Sequence, residues 1–490
     1  MPPEGPTEPD PRIHPNLRSR SNGSNSPLGL AWFALGVVLT LVVFLMQQYA
    51  AIAPQQTAAT PGQAEVIAPP NGDATEFTCK ILVKINSAAD LGPTISEGLR
   101  DLGQTPAEQV RVAVVYAELG DTKQMSRSLD AVEEDEEAPP ALKADAQRLR
   151  RLYEEGDALS PEEADEMRSR HGWFIDLAGV YGAPATDPAR AEIISGGAAI
   201  LLLIFGFFAL AGTVFVGGLV LLLVGGLSLS GPSMRPRFEP PATNRHVYAE
   251  TFALFVVSFL VLQFLLAAIG QIPSVTKDTA TNLSLALQWI LLPVIFWPVF
   301  RGVRLSEAAR TMGWRGERGL FREVVAGVLW YVAGVPVLFV AMLMTLLIAV
   351  VVDLVKQGTG QDAGPPSNPI IDLAGGGTPV TLLLLFVLAS VWAPIVEESV
   401  FRGALYSFLR GTIGKAARWV SVAASVVITA LCFGALHGYL FYLMLPVVTL
   451  GAWFAVMREW RGSIIPTITA HALHNATVMG LVAGIVMILR

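Results

Sequence analysis

After Glu323 this 490-residue chain holds six carboxylates: Asp353, Asp362, Asp372, Glu397, Glu398 and Glu459. Glu397 and Glu398 alone continue an apolar run directly, the one that opens at Pro379. Three of the six histidines, His437, His471 and His474, also fall in the last apolar stretches. A charged side chain at mid-bilayer costs about 2.5–3.5 kcal/mol even on insertion scales, so ionisable groups in such stretches are kept for function. Glu398 and Arg402 lie four apart, on one helix face and in the favourable acid-then-base order. Glu397 is turned about 100° away, stacked over Phe401 with no local cation. A carboxylate so placed suits a general base or acid. His437 ends an apolar run four residues after Phe433. His471 and Asn475 are one turn apart and share a face. Asn475 brings an amide into an apolar helix, where a partner or a wet cavity must receive it. His474 points elsewhere and reads as structural.

One carboxylate and one histidine can hold and deprotonate a water. A second histidine and an amide can donate to a carbonyl oxygen as it becomes an oxyanion, worth about 3–4 kcal/mol per donor. Peptide-bond hydrolysis needs both halves. Other chemistries lack their signatures: there is no GxSxG elbow, no HExxH zinc motif, and Gly414-Lys415 lacks the rest of a phosphate loop. The bland alternatives are a pair of half-solvated carboxylates at a helix end beside Arg402 and Arg410, and a hydrogen-bonded packing role for His437.

The elements that carry these residues are spans of a bilayer. Hydrophobic residues make up 52% of the chain and charged ones 15%, against about 25% charged in soluble proteins. A net charge of -7 without a basic tract excludes nucleic acid as a partner. The fold class expected is an all-α polytopic membrane protein of about nine transmembrane helices, with a small soluble α-helical domain inserted after the first. Residues 1–26, rich in Pro, Ser, Asn and Arg, read as a disordered tail. Residues 27–47 form an uncleaved anchor, and Arg12, Arg18 and Arg20 before it put the N-terminus in the cytoplasm.

Residues 48–192 read as a linker followed by an acidic, mostly helical soluble domain. Within 51–192 lie 26 of the 41 acidic residues and 13 of the 34 basic ones. Thr105 with Glu108, and Ser160 with Glu163, have capping-box spacing. The stretch 110–129, broken at Gly120-Asp121, looks like one tetratricopeptide-like unit. Residues 193–230 are one span or a tight hairpin. A single crossing makes the arginines at 235–245, 301–318, 410–418 and 458–461 alternate consistently and leaves 48–192 extracytoplasmic. Cys79 and Cys432 sit in segments of different character and are not expected to pair.

In order, Glu397-Glu398-Ser399-Val400-Phe401-Arg402, Phe433 to His437 and His471 to Asn475 resemble the EExxxR, FxxxH and HxxxN motifs of the CPBP family of intramembrane proteases. That family takes in CAAX prenyl endopeptidases and bacteriocin-processing or self-immunity (Abi) proteins. The resemblance covers 248–490, with its core at 379–489. It implies a glutamate-dependent endopeptidase whose cavity opens toward the cytoplasm. Glu397 and His437 would activate water, His471 and Asn475 would stabilise the oxyanion, and Glu398, Arg402 and Phe433 would support them. No cofactor is expected. A zinc site built from Glu397, His437 and His471 is the mechanistic runner-up. The expected partners are a membrane-associated peptide or protein substrate, the lipid bilayer and a protein partner for the acidic domain. The expected setting is multi-pass in a bacterial cytoplasmic membrane. The competing functions are a non-catalytic scaffold or immunity protein and, more remotely, a proton-coupled transporter.

Overall fold

The computed structural model describes residues 27–52, 74–227, 237–241, 245–316, 318–359, 377–414 and 417–489. The expected tail 1–26, most of the linker, Asp362, Asp372 and Lys415 lie outside the described residues. Among those described there is no β-strand. The chain is an all-α polytopic membrane protein, and among the described residues eight helices are long and apolar enough to cross a bilayer. The ninth apolar run, at 439–457, becomes a 17-residue helix from Leu445 to Arg461. It is about 26 Å long, at the lower limit of about 17 residues for a span. The start of that run is spent instead in a loop that begins at Gly438, with φ +73°.

The first helix, α1 (Pro27–Ile52), is apolar all round, as a span must be. Glycines let it lie close to its neighbour: a Cβ on Gly36 would meet the Phe252 ring at 2.7 Å. Next come α2 (Ala74–Ala89), α3 (Pro106–Glu118), α4 (Thr122–Glu134), α5 (Pro140–Arg150) and α6 (Pro161–His171). Both capping boxes form, Thr105 with Glu108 and Ser160 with Glu163. Asp121 caps α4 through the amide of Gln124. These helices enclose their own apolar core, in which Cys79, Val110, Leu129, Leu149, Met167 and Phe174 are buried. Cys79 and Cys432 are both buried, and neither is in a disulfide.

One polar knot lies inside that core. Arg170 grips Asp145 with both carboxylate oxygens at 2.7 Å, and His171 Nε2 meets Asp145 Oδ2 at 3.0 Å. Burial drives the His171 imidazole below its usual value. Burial pushes the Asp145 carboxyl up, but hydrogen bonds from His171 and Arg170 outweigh it and leave it lowered. Both groups therefore resist protonation in the fold. Their stabilisation is complete above the unfolded histidine value near 6.5 and is lost as pH falls through it and then through the carboxylate range. Amide exchange across α6 in the intact protein, corrected for intrinsic rate, is expected to quicken between pH 7 and pH 5. Unchanged protection would mean the knot carries no pH-dependent stability.

The remaining long helices are α7 (Gly197–Leu227), α8 (His246–Gly270), α9 (Lys277–Leu287), α10 (Leu320–Thr359), α11 (Pro379–Thr412), α12 (Arg418–Ala435), α13 (Leu445–Arg461) and α14 (Ile465–Leu489). A 3₁₀ segment, Gln288–Phe296, continues α9. The stretch 197–227 is one helix without a break. Its side chains are mostly open, Leu202 at 75% and Phe205 at 68%, a surface suited to acyl chains. The bundle core gathers Phe252, Phe255, Trp392, Phe401, Phe408 and Phe433. At one end of the bundle Arg245 bonds Gly411 O, Arg461 pairs with Glu323, and the amides of Arg237 and Phe238 reach Glu459 O. At the other end Lys84 of α2 donates to Ser195 O at 2.7 Å, beside Ile488 near the end of α14.

Candidate active site

Helix α11 does not stop at the two carboxylates. It runs on to Thr412, and it contains two π-helical turns, Leu388–Trp392 and Glu398–Leu405. Widened turns of this kind recur where helices serve a site. Glu398 and Arg402 are both fully buried and meet at 2.8 Å, so the half-solvated helix end is not what forms. Arg402 also donates to Gly451 O at 2.9 Å and lies 4.3 Å over the Phe433 ring. Glycine at 451 gives room for this approach: a Cβ there would stand 3.3 Å from the guanidinium and 3.1 Å from Phe433, so both would have to shift by a few tenths of an ångström. Phe433 thus supports the cation through its ring face.

Glu398 has a second partner that its local spacing does not reveal. Its Oε1 lies 3.1 Å from His471 Nδ1, across 73 positions of sequence. A carboxylate can only accept, so Nδ1 carries the proton and Nε2 faces the other way. His437 is held likewise: Nδ1 donates to Phe433 O at 2.7 Å, leaving Nε2 free to accept. Both Nε2 atoms point at Glu397. Its Oε2 lies 3.8 Å from His437 Nε2 and 4.0 Å from His471 Nε2, is buried and has no hydrogen-bond partner. These separations are too long for direct bonds. A single water can reach both Glu397 and His437.

Asn475 takes up a different task from its histidine neighbour. Its Nδ2 donates to Ala389 O at 2.7 Å, inside the first π turn, and ties α14 to α11. One amide proton is committed there. His474 packs against Tyr331. Arg410, Arg458 and Glu459, read from sequence as loop charges, are buried. Glu459 accepts from Arg410 and Tyr406, while Arg458 donates to Thr311 O and Arg402 O.

A cavity of about 80 Å³ opens against Glu397 and His437, room for a few waters. Phe255, Phe259, Trp392 and Phe401 wall it, and Gln288 adds the remaining polar side chain. Sequence reasoning missed Gln288 and Trp392. Gln288 carried the same signal as Asn475, an amide in an apolar run. Trp392, whose indole nitrogen is buried without a partner, carried none.

Zinc held by Glu397, His437 and His471 would need donor atoms about 3.3–3.5 Å apart for bonds of 2.0–2.1 Å at tetrahedral angles. The spacings of 3.8 and 4.0 Å are wider. Among the described residues no group of three or more His, Cys, Asp or Glu is arranged to hold a metal ion. As placed, the set does not fit zinc.

Compared with known families, residues 379–477 match the type II CAAX prenyl endopeptidase Rce1-like family. The likeness lies in this segment alone. It spans α11 through the first half of α14, and Glu397, Glu398, Arg402, Phe433, His437, His471 and Asn475 all fall within it. No curated protein matches the chain, and no solved structure does. The match indicates a CAAX-type peptidase family for this segment, which is about a fifth of the chain. Helices α1 to α10 lie outside the match.

Proposed function

We propose that the chain is an intramembrane endopeptidase that cleaves a peptide bond of a membrane-associated peptide or protein with a water activated by Glu397 and His437. The observation that carries this reading is the convergence on Glu397 Oε2 of two histidine Nε2 atoms within 4.0 Å, in a mostly apolar bundle. Three acceptor atoms around one point call for a molecule with protons to donate. Water is the reagent that hydrolysis needs. Glu397 takes a proton as the water oxygen bonds to the scissile carbonyl carbon. The same proton passes to the amide nitrogen as the C–N bond breaks, leaving a carboxylic acid and an amine. His471, its Nδ1 proton held by the Glu398 carboxylate, donates from Nε2 to the oxyanion when solvent has supplied that nitrogen with a proton, and keeps the proton as the C–N bond breaks. The uncommitted amide proton of Asn475 is the second donor. Donors of this kind are worth about 2.7–4 kcal/mol each in the transition state.

The acidic helical unit at 74–194 faces water on the side opposite the basic end of the bundle, where Arg245, Arg410 and Arg461 gather. Positive charge marks the cytoplasmic side, so this unit is extracytoplasmic, the N-terminus is cytoplasmic, and the unit offers a surface to a protein partner. The decisive experiment compares peptides recovered from membranes of cells making wild-type protein or the Glu397→Gln and His437→Ala variants. Peptides present only with the wild type support the reading, and identical peptide sets overturn it in favour of a scaffold. Treating the purified protein with EDTA or 1,10-phenanthroline is expected to change the cleavage rate by less than twofold. Loss of activity with recovery on adding zinc would instead make Glu397, His437 and His471 metal ligands.

A further inference from the structure

The loop that follows His437 is held from outside the Rce1-like domain. Gln48, near the end of α1, is buried at 9% exposure. Its Nε2 donates to Tyr439 O at 2.8 Å and its Oε1 accepts from the amide of Phe441 at 2.9 Å. The two ends of one side-chain amide thus pair with the backbone on either side of Leu440, as a neighbouring β-strand would. That backbone starts two residues after His437 and directly follows Gly438, whose positive φ turns the chain out of α12. On its other side His437 is fixed to α12 by its Nδ1 bond to Phe433 O and its amide bond to Gly434 O. His437 is therefore fixed on one side to α12, and the backbone that follows it is held by α1.

Helix α1 is itself firmly seated. Trp32 and Phe33 pack on the bundle core, Phe33 meets Phe408 at 5.6 Å, and Gly36 lies on Phe252. A buried amide in an apolar span is costly unless both its ends are satisfied. A leucine at 48 would suit a plain anchor better.

We propose that Gln48 is a positioning residue of the peptidase, and that α1 is a working part of the active site rather than a tether. By fixing residues 439 and 441 it sets the 3.8 Å separation of His437 Nε2 from Glu397 Oε2. This rests on the peptidase reading of the site, and the test separates the two. The probe is a synthetic fluorophore–quencher peptide carrying a sequence cut in wild-type membranes but not in those with Glu397→Gln. Gln48→Leu is expected to lower kcat about tenfold or more, with KM within twofold and an unchanged thermal midpoint in detergent. Gln48→Glu refines the test. Its carboxylate can accept from Phe441 but cannot donate to Tyr439, whereas the protonated acid does both. The kcat of Gln48→Glu relative to wild type is therefore expected to climb as pH falls from 8 to 5.5. A kcat for Gln48→Leu within twofold of wild type overturns the proposal, as does a loss that only tracks a lowered midpoint or a flat pH ratio for Gln48→Glu. If no sequence is cut in a Glu397-dependent way, it is the peptidase reading that has failed, and the proposal goes with it.

Discussion

Replacing Glu397 by Gln is expected to lower the rate of peptide cleavage by about 10³–10⁴-fold while leaving the protein folded. General base catalysis by a placed side chain is worth about 10²–10⁴-fold, and Glu397 also orients the water it deprotonates. The amide keeps the volume of the carboxyl group and can still hydrogen-bond a water, but it takes no proton at neutral pH. Folding should be spared because Oε2 has no partner among the described groups to lose. The buried charge pair belongs to its neighbour Glu398. Single-turnover cleavage of the peptide found in wild-type membranes, with a thermal melt of the same sample, checks both halves. A rate within tenfold of wild type would remove Glu397 from the chemistry. His437→Ala in the same assay is expected to fall in the same range, and the double variant to be little worse than either. Groups acting on one water are not additive.

The second large effect is on stability. Arg402→Met should lower the unfolding free energy by about 3–5 kcal/mol, because it strands the Glu398 charge where no solvent reaches it. Glu398 and Arg402 are both 0% exposed, and Gly451 O would lose its donor as well. Adding Glu398→Gln to Arg402→Met removes the stranded charge and is expected to return most of the loss. Activity should not return with it. In the double variant His471 Nδ1 faces an amide where the carboxylate stood, so the ring loses the acceptor that fixes its Nδ1 proton and aims Nε2 at Glu397. Thermal midpoints in detergent, set beside cleavage rates for both single variants and the double, test this split. A double variant that recovers rate along with midpoint would show Glu398 to be a structural counter-charge with no part in placing His471's proton.

What could be read from the amino-acid order follows the range over which each interaction acts. The Glu398–Arg402 pair and the capping boxes at Thr105 and Ser160 are contacts within one turn, and helical spacing alone locates them. Eight of the nine apolar runs are helices of spanning length because hydrocarbon thickness sets that length. The ninth was shortened by Gly438 and the loop behind it, which carries backbone bonds to Gln48 that no periodicity encodes. The hydrogen bond from His471 to Glu398 joins residues 73 apart, and the local pattern offered Asn475 as a partner instead. Glu459 stands between Arg458 and Arg461 in sequence, yet successive helical residues point about 100° apart. Its cation is Arg410, from another helix. Local spacing picked out the candidate residues, and packing between distant helices decided who holds whom.

The widened turns of α11 make the site tolerant of a change in the number of residues that precede it. A wide turn holds one residue more than an α-helical turn, so removing one residue between Leu388 and Trp392 would let an ordinary ladder close. The segments on either side would keep nearly the facing they have, because each residue of the wide turn rotates the chain by less than an α-helical residue does. With the first part of α11 fixed by its bond from Asn475 to Ala389, both glutamates would still face the histidines. The extra residue works like slack in a belt: it is taken up where it lies and leaves the working parts aligned.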